Sequence, residues 1–158
     1  MIRFIAALDS KQGIADDHGL PWQGKIPTDI NYYHDKIEDA DNLMGFGLYL
    51  ELPKPYPNRK NYVATLPENP PIRTGFEAVY DPVKFLEDFK QDIWNLGGAL
   101  LFASTLHLAD ELYITQLDQE FKCTKFFPDF KDKFEKVSES EPHTENGITF
   151  TFQVWRPK

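Results

Sequence analysis

The chain opens on an apolar run, "IRFIAAL", that stops at Asp9. A short unbroken run of this kind, ended by a polar residue, predicts a buried strand over residues 2–8. Similar runs recur. "NLMGF" predicts a strand reaching Gly45, "RKNYVAT" another, "FEAVY" a small one, "DIWNLGG" one closing on Gly97–Gly98, and "DELYITQL" a longer one. Helical periods lie between them. In "PWQGKIPTDINYYHDKI" the residues Ile26, Ile30, Tyr33 and Ile37 recur at three- and four-residue spacing. That predicts a helix from about Pro27 to Ile37 with the stripe facing a core. Pro27 suits an early helical position, where its missing N–H costs nothing. Asp81 and Pro82 open a second helix running through Lys90, "GLYLEL" predicts a brief one, and "ALLFASTL" one that starts at the glycine pair.

The polar stretches divide these elements. Residues 9–25, "DSKQGIADDHGLPWQGK", read as a long loop, and long loops in compact domains are often lids or binding loops. "PKPYPN" and "LPENPPIRTG" read as proline-broken surface connections. Near the end, "KFEKVSES" and "ITFTFQVW" alternate and are joined by a polar turn containing Asn146–Gly147, which predicts an antiparallel hairpin. Strands alternating with helices, then a hairpin, predict an α/β fold. Its central sheet is mostly parallel, with flanking helices and a C-terminal antiparallel hairpin, in one domain over residues 1–158. Sheets of this class bind ligands at the carboxyl ends of their strands. The 9–25 loop, Gly45, Thr65, Gly97–Gly98 and Thr115 fall there.

Composition narrows the function classes. A hydrophobic share of 41% argues against disorder, and an aromatic share of 15% suits a packed core or a flat-ligand surface. The net charge of −8 and the lack of a basic stripe point away from nucleic acid, and an anionic substrate needs a local positive site against that field. The single cysteine, Cys123, excludes a disulfide within the chain. The scattered histidines His18, His34, His107 and His143 show no metal-ligand spacing. The opening apolar run is too short for a signal peptide and no span reaches transmembrane length, so the expectation is a soluble cytoplasmic protein without a membrane partner.

Two features bear on chemistry. Asp29 is either an ordinary first-turn acid favoured by the helix dipole or a carboxylate aimed into a pocket. Gly97–Gly98 is either a tight strand-to-helix turn or a place where a ligand approaches the backbone and meets helix N–H groups. The GxGxxG fingerprint is absent, so a standard Rossmann site is not supported.

The segments "IAALD…GIA…HGLPW", "IPTDINYY", "NLMG", "LPKPYPNRKNYVAT", "NLGGALLF", "ADELYITQLD" and "FFPDF" occur in the order found in dihydrofolate reductases, and the chain resembles that family from Ile2 to Trp155. The resemblance implies reduction of dihydrofolate to tetrahydrofolate with NADPH, NADH being possible, by a monomer acting on small molecules. It implies that Asp29 is the active-site carboxylate, holding the pterin amino group and ring nitrogen. Thr115 matches the hydroxyl that supports it, and Trp22 the tryptophan that backs the site. Ile5, Ala7, Leu20, Ile30, Tyr33, Leu52 and Leu96 match the walls around the pterin and benzoyl rings. Arg59 matches the arginine that grips the substrate's glutamate carboxylate, a task suited to a guanidinium fork. The cofactor positions implied are Ala7, Ile14, Gly45, Phe46, Gly47, Leu48, Thr65, Gly97, Gly98, Ala99, Leu100, Leu101 and Phe102.

Departures concentrate on that cofactor. Phe46, Leu48, Leu66 and Leu100 stand where members of the family often carry basic or polar side chains, and Phe102 replaces a tyrosine. Two alternatives therefore accompany the reductase reading: a pterin-binding family member with impaired cofactor use, and a riboflavin-pathway pyrimidine reductase.

Overall fold

The computed structural model describes residues 1–158. Strand β1 (Ile2–Leu8) runs into a short β2 (Gly13–Ala15), then helix α1 (Pro27–Ile37), β3 (Asp41–Gly45), α2 (Phe46–Glu51), β4 (Asn61–Ala64) and β5 (Phe76–Val79). Helix α3 (Pro82–Asp88), β6 (Ile93–Asn95), α4 (Ala99–Thr105), a 3-10 turn, β7 (Glu111–Leu117) and β8 (Lys125–Phe126) follow. The chain ends with β9 (Phe134–Glu139), β10 (His143–Glu145) and β11 (Ile148–Pro157).

The main sheet has the order β10-β11-β7-β1-β6-β3-β4-β5, with β9 also paired to β11. Strands β7, β1, β6, β3, β4 and β5 are mutually parallel, and β11 is antiparallel to β7. The expected α/β architecture is therefore present. Both faces of the central strands are covered, which is why they read as continuous apolar runs rather than alternating ones. Phe4, Leu43, Met44 and Ile114 are fully buried. Each such side chain contributes about 1.5–3 kcal/mol relative to exposure. No helix is long and apolar enough to cross a membrane.

Four local expectations are corrected. The α1 stripe does not face the core along its whole length. Ile26 packs with Trp22, Leu117 and Phe150, and Ile37 packs with Ile5, Met44 and Trp94. Ile30, between them, stays 38% exposed, because no facing element covers the middle of the helix. Second, the hairpin is split: β10 and β11 meet at Asn146–Gly147, while β9 pairs with the far half of β11, Gln153–Pro157. The turn residues Asn146 and Gly147 have φ of 50° and 77°, the left-handed pair that a two-residue hairpin turn requires. Third, the 9–25 segment contains β2, which pairs with β8 in a separate small sheet. Fourth, α3 ends at Asp88 rather than Lys90, since Phe89 is already extended.

Candidate active site

Parallel pairing of β1 with β7 sets Ala7 beside Thr115. Helix α1 crosses this edge, and its first turn presents Asp29. The Thr115 hydroxyl donates to Asp29 Oδ1 at 2.6 Å, and both residues are buried. The Asp29 carboxyl accepts no other bond from the protein. Burial pushes its carboxyl above the usual carboxylate range. The Thr115 bond opposes this, and the nearby charge of Glu145 adds to the rise. A first-turn acid serving only the helix dipole would be solvated and would not show this combination. In geometry, Asp29 points into the protein against Thr115.

Most of the apolar positions expected to line the site fall in two packed clusters. Ile5 and Leu96 belong to one buried cluster, against which Tyr33, Phe46, Leu48 and Leu52 pack half-buried. Ala7 and Trp22 share another with Ile26. Trp22 meets the Phe121 ring edge-on at 5.3 Å, and its Nε1 is buried with no hydrogen-bond partner in the protein. Leu20 and Ile30 remain open at 39% and 38% exposure. Arg59 stands further out. Its Nε donates to Pro57 O at 3.1 Å, its Nη1 donates to Ile37 O, and its guanidinium lies 5.0 Å over the Tyr56 ring. The fork is held in place with Nη2 uncommitted. Tyr56 was not expected from the sequence, although its place three residues before Arg59 in "PYPNR" is a usable signal.

The root of the 9–25 loop is fixed by Asp9, also missed. Its Oδ1 accepts the N–H groups of Lys11 and Gly13, and its Oδ2 that of Phe121. Gly13 is needed there: a Cβ would come 2.3 Å from Cys123 Cβ. Ile14, one residue after Gly13, is buried and belongs to the core cluster of Leu8 and Phe102.

The carboxyl ends of β3 and β6 lie side by side, and Gly45 N–H donates to Gly97 O. A Cβ on Gly45 would sit 3.2 Å from both Gly97 O and Gly98 N, while one at Gly47 or Gly98 would meet open space. Helices α2 and α4 both start here without a side-chain cap. The first N–H groups of Phe46, Gly47 and Leu48, and of Ala99, Leu100 and Leu101, accordingly face this edge as donors. This cradle of uncapped N–H groups and bare glycines fits a dinucleotide pyrophosphate. The side chains of Leu101 and Phe102 turn into the core instead; Phe102 packs under Gly97 and stacks on Phe4 at 5.5 Å. Leu100 is 88% exposed, and Thr65 is buried with its hydroxyl accepting from Asn69. No lysine or arginine occurs between Lys36 and Lys54, Lys60 and Arg73, or Lys90 and Lys122. The turns from β3 into α2 and from β6 into α4 therefore carry no cation, and the one cation of the β4–β5 loop, Arg73, is committed to the Tyr49 hydroxyl and to the Tyr49, Leu52 and Pro53 carbonyls.

Comparison with known proteins agrees with this geometry. The family model described as dihydrofolate reductase matches residues 1–157. The dihydrofolate reductase of Bacillus subtilis is 30% identical over 163 residues, covering 100% of this chain and 95% of that protein. That of Staphylococcus aureus is 28% identical over 158 residues, covering 96% and 94%. In structure, the chain superposes on a dihydrofolate reductase from Enterococcus faecalis, solved as a complex with NADP(H) and RAB-propyl. The TM-score is 0.85 at 22% identity, with 100% and 96% of the two chains covered. With a family match across the whole chain and the same fold beneath it, the chain belongs to the dihydrofolate reductase family.

Proposed function

We infer that this chain reduces 7,8-dihydrofolate to tetrahydrofolate with NADPH, and that Asp29 binds and polarises the pterin. The observation that carries this reading is the buried Asp29 carboxyl, supported on one oxygen by Thr115 and otherwise unbonded. Two carboxylate oxygens suit a paired donor edge, such as an amino group beside a ring N–H. Bound NADPH supplies the hydride; everything else falls to the chain. Its apolar walls, Ile5, Ala7, Leu20, Ile30, Tyr33, Leu52 and Leu96, hold a flat ring system with a few placed polar groups. The raised Asp29 pKa keeps a proton in the site at higher pH than an exposed aspartate would, favouring protonation of the ring nitrogen beside the carbon that takes the hydride. Trp22 backs this carboxyl. Arg59 grips the glutamate carboxylate of the substrate.

The N–H groups at Gly45–Leu48 and Gly97–Leu101, with Ala7, Ile14, Thr65 and the buried Phe102 beneath, are read as the cofactor cradle. Residues 1–158 act as one domain. Family membership supports a cytoplasmic monomer, and the charge of −8 argues for a small-molecule substrate over nucleic acid. The pterin-binding and riboflavin-pathway alternatives are not favoured, since the family match spans the whole chain. The test is the loss of reduced-nicotinamide absorbance on mixing the protein with dihydrofolate and NADPH. Turnover that depends on dihydrofolate is expected, and its absence contradicts the reading.

A further inference from the structure

The terminal hairpin reaches across the molecule to the helix that carries Asp29. Glu145, the last residue of β10, accepts the Thr28 backbone N–H on Oε1 at 3.0 Å and the Thr28 hydroxyl on Oε2 at 2.7 Å. Its neighbour Asn146 donates from Nδ2 to Lys25 O at 2.7 Å, gripping the segment just before the helix. Helix α1 has no side-chain cap of its own, because Ile26 occupies the N-cap. Glu145 thus satisfies an exposed N–H of the first turn from 117 residues away, and its charge complements the helix dipole. The connection also closes a ring. Strand β11, which carries the hairpin, is paired with β7, and there Phe152 lies opposite Thr115. Thr115 holds Asp29 from one side and Glu145 holds the adjacent Thr28 from the other.

We propose that Glu145 is a positioning residue for the reaction, fixing the first turn of α1 through Thr28 so that the Asp29 carboxyl is held against Thr115. The proposal rests on the reduction of dihydrofolate inferred above. Glu145 acts on Asp29 through charge as well as geometry. Thr115 on β7 bonds that carboxyl, the charge of Glu145 on β10 acts on it, and the carboxyl in turn acts on Tyr32 and Tyr33 of its own helix. Glu145 is the anion among them, and its charge disfavours ionisation of Asp29.

Two variants separate the contributions. Glu145→Gln keeps a hydrogen-bonding side chain of the same size and removes the charge. The basic limb of the kcat profile then moves down by about 0.3–1 pH unit, with KM for NADPH unchanged. Thr28→Val keeps the backbone bond and removes the hydroxyl; kcat falls about tenfold through loosened placement of Asp29. A second readout needs no turnover: the carboxyl carbon of Asp29, followed by NMR in the free protein, titrates at lower pH in Glu145→Gln than in the parent. An Asp29 titration unchanged in folded Glu145→Gln overturns the proposal. So does a Thr28→Val variant that loses thermal stability but keeps the parent's kcat and pH profile, which would make the clamp purely structural. Absence of dihydrofolate-dependent turnover in the parent is a separate result; it overturns the assigned reaction and leaves the NMR comparison to decide the coupling.

Discussion

Thr115 Oγ1 donates to Asp29 Oδ1 across 2.6 Å, joining residues 86 apart in sequence. A bond to the ionised carboxylate favours the charged form, so this hydroxyl restrains a pKa that burial raises. Replacing Thr115 by Val removes the restraint. The Asp29 pKa then rises further, and the basic limb of the rate profile moves up by roughly half to one pH unit. Stability falls by about 1–3 kcal/mol, because a buried acceptor loses its partner. Rate profiles of the parent and Thr115→Val check the direction, which is opposite to that expected of Glu145→Gln.

Arg59 is already oriented by the Pro57 and Ile37 carbonyls and by the Tyr56 ring. Little side-chain freedom remains to be lost on gripping a carboxylate. Arg59→Ala weakens dihydrofolate binding by about 10–100-fold, the equivalent of one charge-assisted hydrogen bond. Binding of a pterin without the glutamate tail stays close to that of the parent. Calorimetry with both ligands makes the comparison, and equal losses would assign Arg59 a structural role.

The cofactor edge carries N–H donors but no cation on the turns after β3 and β6, and Arg73 in the loop after β4 is engaged by Tyr49, Leu52 and Pro53. Backbone N–H groups serve the pyrophosphate shared by NADPH and NADH, whereas discrimination depends on groups around the 2′-phosphate. The chain is therefore expected to use NADPH with a weak preference over NADH, about tenfold or less, equivalent to about 1.4 kcal/mol. Leu100→Arg at a fully solvated position raises affinity for NADPH more than for NADH, and the gain shrinks in high salt. A parent that prefers NADPH by several hundredfold contradicts this account.

Asp9 governs stability rather than chemistry. Burial acts to raise its carboxyl, but bonds from the Phe121, Gly13 and Lys11 N–H groups and from the Cys123 thiol outweigh it, leaving the pKa below its ordinary value. A folded-state pKa lower than the unfolded one means that ionisation favours folding. That contribution is complete above the unfolded pKa of about 3.9 and is lost as pH falls from there through the folded value. Asp9→Asn costs about 1–3 kcal/mol near neutral pH. In urea titrations the gap between parent and variant narrows in acid.

What the sequence discloses follows from interaction range. The helix beginning at Pro27 was legible because its proline, its first-turn acid and its apolar spacing are local signals. The core strands were legible because burial on both faces leaves unbroken apolar runs. Residues Asn146–Gly147 announced their turn through the conformation they tolerate. Strands β2 and β8, three and two residues long, are too short to show a period. The exposed Ile30 looked like a core residue, since spacing alone does not reveal whether a neighbouring element covers it. The meeting of Asp29 with Thr115 was legible through resemblance in motif order. Asp9 and Glu145 were not: the Asp9 bond to Phe121 spans 112 residues and the Glu145 bonds to Thr28 span 117. Such pairs exist only once the sheet has brought distant segments together.

The most direct test of the central claim is the single-turnover rate of NADPH oxidation by dihydrofolate, measured across pH for the parent and for Asp29→Asn. The parent rate declines as pH rises through the raised pKa of Asp29. The variant, folded but lacking a titrating group at this position, is slower near neutral pH by about 10²–10⁴-fold, the usual cost of losing a positioned acid–base group. Its deficit narrows in acid, where protons from solvent replace the missing carboxyl. A folded Asp29→Asn protein that matches the parent near neutral pH would contradict the account.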